Sequence, residues 1–146
     1  QLVIYGEGSQ REELEGLVSE LNLTGRVLLP GVVKNVFECL QKAEVFVLSS
    51  YFEGMPNTLL EAMCIGVPSV STKVSGAVDL IEDGKNGYLT EIDDCNMLAS
   101  RIELLADDPE LRFKIGERSS HLYDILKVDV ISKQWESYIA KCISKN

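Results

Sequence analysis

The sequence predicts an open, mainly parallel α/β sheet with helices on both faces, ending in two consecutive helices. Short apolar runs alternate with amphipathic stretches up to about residue 109. The first three of those runs are nearly continuous in apolar residues, as parallel strands covered on both faces are. After Pro109 the strands stop and two helical patterns follow each other directly. Strand, helix and strand in repetition require right-handed crossovers that lay the helices on the sheet.

In chain order, residues 2–5, 27–29, 45–48, 69–71 and 87–90 read as strands. Residues 9–22 form the first helical pattern, with Leu14, Leu17, Val18 and Leu21 on one face and acids on the other. Further helical patterns cover 36–42, 58–65, 77–82 and 97–105, then 110–125 and 130–144. Gly6-x-Gly8 makes a tight strand-to-helix turn, with Ser9 as the expected N-cap. Asp93-Asp94 and Asp107-Asp108 are expected to form a turn and a helix cap.

A chain of 146 residues is read as one domain. At that size it buries roughly 70% of its unfolded surface and needs no disulfide or metal to fold. It is 45% hydrophobic and 25% charged, ordinary for a globular protein. A net charge of −9 argues against general nucleic-acid binding, which needs a basic face to neutralise phosphates. No apolar run approaches the ~20 residues that span a bilayer. Cys39, Cys64, Cys95 and Cys142 lie too far apart for a CxxC pair, and are expected to be buried free thiols in a reducing compartment. The chain opens on Gln1 inside an apolar run, which reads as a cut shortly before a strand of a longer protein. Residues 82–110 hold nine acids and two bases, and the last 36 residues hold seven bases and four acids. Two solvated faces account for this; a basic terminal helix touching another domain or a membrane surface is the alternative.

Ligands of such a sheet bind outside the carboxyl ends of its strands. Those ends carry residues 6–9, 31–34, 49–57 and 73–77, all preceding helices. Exposed N–H groups at helix starts favour anions, above all phosphate. A dinucleotide fingerprint is excluded, because Arg11 stands where the third glycine would fall and Pro30-Gly31 closes the second strand in place of an acid. The third loop is more informative. Seven residues separate Glu53, in the loop, from Glu61, in the second turn of an apolar helix that Pro56 is suited to start. Glu61 is the only charge between Glu53 and Lys73, and a lone carboxylate on so apolar a helix calls for a partner. On spacing alone, Glu61 as a helix-dipole complement and Glu53 as loop decoration is the favoured account.

The segment SSYFEGMPNTLLEAMCIGVPSVST resembles the Glu-x7-Glu signature of the family-four, retaining nucleotide-sugar glycosyltransferases of GT-B fold. LVIYGEGSQREELEGLVSELNLTGRVLLPG, VFECLQKAEVFVLSS and SGAVDLIEDGKNGYLT resemble the flanking segments in the same order, so the resemblance runs from about residue 2 to 118. It implies a Rossmann-like, C-terminal, donor-binding domain spanning residues 1–146, with its first strand and helix and the N-terminal acceptor domain lying upstream. By resemblance, Glu53 is the catalytic-site carboxylate that contacts the donor sugar's hydroxyls, and Glu61 binds the ribose hydroxyls. The N–H groups of Asn57 and Thr58 lie beneath the diphosphate, Val33 and Lys34 lie beside the base, and Gly8, Gly54 and Met55 complete the donor-binding set. A carboxylate accepts two hydrogen bonds from a vicinal diol, and a helix N-terminus stabilises charge on a leaving phosphate.

The chain departs from the family in three respects. Gly54-Met55-Pro56 replaces Gly-Phe-Gly, and Pro56 has no N–H to donate. Ser75-Gly76-Ala77-Val78-Asp79 replaces Gly-Gly-x-x-Glu, one methylene shorter at the acid. The phosphate-binding Arg and Lys are expected upstream of this chain. His121 is read as non-catalytic. Trp135 and Tyr138 read as a packed helical face, left exposed where a partner domain covers it in the whole fold. No metal, no cofactor beyond the donor nucleotide sugar as substrate, and no nucleic acid are expected. The implied setting is the cytoplasm, with a peripheral contact on the inner face of a membrane as an option for the full-length protein. Non-catalytic nucleotide-sugar binding and a sugar-nucleotide epimerase of similar fold are the rival functions.

Overall fold

The computed structural model describes residues 1–144; Lys145, one of the seven C-terminal bases, lies outside the described residues. Among the described residues, five strands alternate with five helices and two more helices follow, in two compact units, Gln1–Val36 and Phe37–Asn146.

The first unit is a strand–helix–strand crossover of β1 (Leu2–Tyr5), α1 (Arg11–Glu20) and β2 (Val27–Gly31). The strands pair in parallel, Leu2 opposite Val27 and Val3 opposite Leu28, with a shift in register before Tyr5 meets Gly31. Ser9 is not the N-cap of α1. Gln10 holds that position, no side chain caps the helix, and the Gly8 carbonyl accepts instead from the Arg11 N–H at 3.1 Å. Glu12 and Glu13 complement the helix dipole from the first turn. Gly31 adopts a φ of +83°, a conformation that L side chains rarely adopt, so glycine is favoured at the end of β2.

The second unit contains β3 (Phe46–Leu48), β4 (Ser69–Thr72) and β5 (Tyr88–Thr90), with α2 (Val36–Leu40), α3 (Asn57–Cys64), α4 (Ser75–Leu80), α5 (Cys95–Asp107), α6 (Pro109–Ile125) and α7 (Val128–Ile143). All three strands run parallel in the order β3-β4-β5, with Phe46 opposite Ser69 and Val70 opposite Tyr88. The alternation of the strands builds two cores. Phe46, Leu48 and Leu89 pack with Leu59, Met63, Val74, Ala77 and Ile81 from α3, α4 and their flanks. Val45, Val70 and Tyr88 pack with Leu105 and Ile115 from α5 and α6. Gly66 ends α3 at φ +80° in a Schellman arrangement, with Gly66 N–H donating to the Met63 carbonyl and Val67 N–H to that of Ala62. Gly116 of α6 approaches this turn so closely that a Cβ would lie 2.2 Å from the Gly66 carbonyl oxygen.

Asp94 and Asp108 cap α5 and α6, accepting from Met97 and Leu111 N–H at 2.9 Å each. The expectation of buried thiols is corrected. No disulfide joins the four cysteines; Cys39 and Cys64 are half-buried, and Cys95 and Cys142 are exposed. Cys95 opens α5 at the surface, and Cys142 lies on α7, which buries none of its residues. For the same reason Trp135 and Tyr138 are an exposed pair, edge to face at 6.1 Å. Among the described residues, no helix is long and apolar enough to cross a membrane.

Candidate functional site

Because β3, β4 and β5 are parallel, the loops that follow them leave the sheet at one end. The loop of residues 49–56 carries Glu53 and delivers the chain into α3. Thr72, at the end of β4, donates its hydroxyl to the Ser50 carbonyl at 2.6 Å, and Ser50 Oγ donates to Glu53 Oε1 at 3.0 Å. Glu53 is thereby half-buried and oriented through Ser50 from the central strand. Gly54, Met55 and Pro56 lie directly on Gly76 at the start of α4. A Cβ at position 76 would meet the Gly54 carbonyl at 2.3 Å and Pro56 Cδ at 2.5 Å. The glycine of the Ser75–Asp79 segment is thus required by the close passage of the loop.

Pro56 is the N-cap of α3 rather than its first helical residue, and no side chain caps the helix. The first backbone bond of the helix runs from Leu60 N–H to the Pro56 carbonyl, 3.1 Å. This leaves the N–H groups of Asn57 and Thr58 without an acceptor among the described residues. Leu59, Ala62 and Met63, spaced i, i+3, i+4, form the buried face. Asn57, Thr58 and Glu61 share the opposite, exposed face. Glu61 therefore has no protein partner among the described residues, contrary to the expectation that it needed one. Its side chain is turned to water, where a carboxylate stays hydrated.

Gly8, Val33 and Lys34 belong to the first unit. Gly8 lies in the exposed turn before α1; Val33 is half-buried and Lys34 exposed in the segment after β2. Arg11 organises that unit. It pairs with Glu7 at 2.7 Å and Glu15 at 2.6 Å and donates to the Leu29 carbonyl at 2.6 Å. The bond to Glu15, foremost, raises its pKa above the ordinary guanidinium value. His121 is exposed on α6. No group of three or more His, Cys, Asp or Glu suited to a metal ion occurs among the described residues.

Two further contacts at the carboxyl end of the sheet were not legible in the sequence. Tyr51 OH donates to Asp93 Oδ1 at 2.6 Å, a bond that raises the phenol's pKa, and Lys73 pairs with Glu91, which raises the ammonium's. Both join residues far apart in the chain, and no local pattern announces them.

An uncapped helix N-terminus, acceptor carboxylates and a parallel sheet's carboxyl end are groups with the chemistry to receive a hydroxyl-rich anion. The family described as Glycosyl transferases group 1 matches residues 1–121, and the chain belongs to it. It is 34% identical over 138 residues to the N-acetyl-alpha-D-glucosaminyl L-malate synthase of Bacillus anthracis, covering 94% of this chain and 36% of that protein. The chain thus spans about a third of the length of the curated relatives it matches. Among solved structures it superposes on S. aureus TarM in complex with fondaparinux, alpha-GlcNAc-glycerol and UDP. The TM-score is 0.84 at 31% identity, over 92% of this chain and 28% of that one. Anabaena HepE in complex with UDP-glucose gives a TM-score of 0.81 at 25% identity, over 99% of this chain and 40% of that one.

Proposed function

We propose that this chain is the C-terminal, donor-binding half of a retaining glycosyltransferase that moves a sugar from a nucleoside diphosphate sugar to a glycan, lipid or small acceptor. The observation that carries the reading is the exposed face of α3, where Asn57, Thr58 and Glu61 lie together at an uncapped N-terminus behind the loop of Glu53. In this reading the open N–H groups of Asn57 and Thr58 receive the diphosphate, and the helix dipole favours the charge that develops there as the sugar departs. Glu61, one turn along, accepts from the ribose hydroxyls. Glu53, steered by Ser50, accepts from hydroxyls of the sugar, flanked by Gly54 and Met55. Gly8, Val33 and Lys34, in the first unit, are assigned to donor binding by the family resemblance alone. TarM with UDP and HepE with UDP-glucose support this choice of ligand. Independence from bound metal, a cytoplasmic setting and a peripheral contact of the whole protein with the inner membrane face belong to the same proposal.

The test uses the full-length protein. Glu61→Ala should weaken both the nucleoside diphosphate and the sugar nucleotide by about ten- to a hundredfold in titration calorimetry, the cost of hydrogen bonds to a charged group. Glu53→Ala should leave nucleoside diphosphate affinity nearly intact and lower turnover. Circular dichroism establishes that both variants fold. Equal loss of plain nucleotide binding in the two would refute the division of roles, and no effect of either would make the pair structural.

A further inference from the structure

The loop that carries Glu53 is held from three directions. Thr72 of β4 holds Ser50 from below, and Gly76 of α4 supports residues 54–56. The third hold reaches across the sheet. β3 and β5 are separated by β4, so the loops that follow them start two strand spacings apart, roughly 10 Å. The Tyr51 phenol spans that gap to the carboxylate of Asp93, at a length typical of a hydroxyl donating to an ionised acceptor. Asp93 adopts a φ of +69°, one of two non-glycine residues in the left-handed region among those described. Aspartate tolerates that conformation better than most residues, but only glycine adopts it freely. The backbone at this position is therefore bent where its side chain meets the phenol. Apart from this bond Tyr51 is largely solvated, 70% exposed, and its neighbour Phe52 is 85% exposed. Packing does not fix residues 51 and 52, so the phenol–carboxylate bond is what restrains them immediately before Glu53.

We infer that Asp93, acting through Tyr51, is a positioning residue for Glu53, and that this cross-sheet bridge sets the carboxylate's aim at the donor sugar. The inference rests on the reading of Glu53 as the sugar-contacting carboxylate. Nucleoside diphosphate binding, assigned to α3, does not pass through the bridge. Loss of the bridge therefore lowers kcat for the sugar nucleotide and spares nucleotide affinity.

The experiment compares Tyr51→Phe, Asp93→Gly and Asp93→Asn with Glu53→Ala in the full-length protein, with a nucleoside diphosphate as the binding probe and the sugar nucleotide as the turnover probe. Glycine removes the acceptor while fitting the positive φ, so a loss in Asp93→Gly does not arise from backbone strain. Tyr51→Phe and Asp93→Gly should each lower kcat roughly three- to thirtyfold, the range of a misaimed reacting group. The double variant should be no worse than either single one, because both remove the same bond. Asp93→Asn keeps an acceptor oxygen and should retain most of the activity. Unchanged kcat in Tyr51→Phe and Asp93→Gly with Glu53→Ala impaired would overturn the bridge alone. Additive losses, or equal losses of nucleotide affinity and turnover, would overturn it as well. Unchanged turnover in Glu53→Ala would overturn the reading of the site on which the bridge depends.

Discussion

Strand β1 reads Leu-Val-Ile-Tyr and strand β4 reads Ser-Val-Ser-Thr, yet their burial is the reverse of their polarity. Leu2, Ile4 and Tyr5 are 39–48% exposed, whereas all four residues of β4 are buried. β4 pairs on both edges and has helices packed above and below, while β1 pairs with β2 alone among the described residues. The helices repeat the contrast. α1 buries none of its residues, and α3 buries Leu59, Ala62 and Met63 completely. Position within the sheet, more than side-chain hydropathy, decides what is removed from water, and the two units are held by different forces as a result. Burial dominates in the second. In the first, burial is slight, and the ion pairs of Arg11 that supplement it are modest and screened by salt.

The sharpest way to break this contrast is a pair of leucine truncations followed by urea denaturation. Leu59→Ala should cost about 2–5 kcal/mol, since the side chain is fully buried between α3 and the sheet. Leu17→Ala, on a helix position 48% exposed, should cost less than about 1 kcal/mol. Equal costs would mean that the units are equally well packed.

A smaller effect separates close approach from turn geometry. Gly116→Ala forces a Cβ against the Gly66 carbonyl and should cost about 1–3 kcal/mol. Gly25→Ala meets nothing within 4 Å and should cost about 1 kcal/mol, from its φ of +81° alone. Thermal midpoints in the opposite order would show that α6 yields easily at its contact with α3.

The finest test is chemical. Burial pushes the Cys64 thiol above its ordinary pKa, so at mildly alkaline pH it should be alkylated more slowly than exposed Cys95, as followed by peptide mass spectrometry. The sign of the linked stability follows. The folded state favours the protonated thiol, so this contribution is complete below the ordinary thiol range and is lost as pH rises through the raised value. Equal labelling rates would remove the distinction between the half-buried and exposed thiols.

Element order was legible because each apolar run and each helical face has a period that a short window captures. The strands at 2–5 and 69–72 and the helix at 57–64 lie within two residues of expectation. Caps were readable where a side chain makes them, as at Asp94 and Asp108, and not at Ser9, where a backbone carbonyl does the work one residue earlier. Burial was expected for Cys142 with the other cysteines, but α7 buries no residue at all. The solvated position of Glu61 was not read from the sequence, because its apolar neighbours called for a partner, and the bond from Tyr51 to Asp93 spans 42 residues and becomes visible only when parallel pairing brings two loop ends to one edge.

The division of α3 into two faces bears on how such a domain diversifies. Leu59, Ala62 and Met63 are constrained by volume, since each is sealed in the core. Asn57, Thr58 and Glu61 face water, and exchanges there leave that packing untouched. Under the proposed function, ligand preference on this helix can therefore drift with little penalty to folding. Gly76, with the backbone of Gly54 and Met55 lying against it, has no such latitude, so variation that the helix face permits is closed off where that loop meets α4.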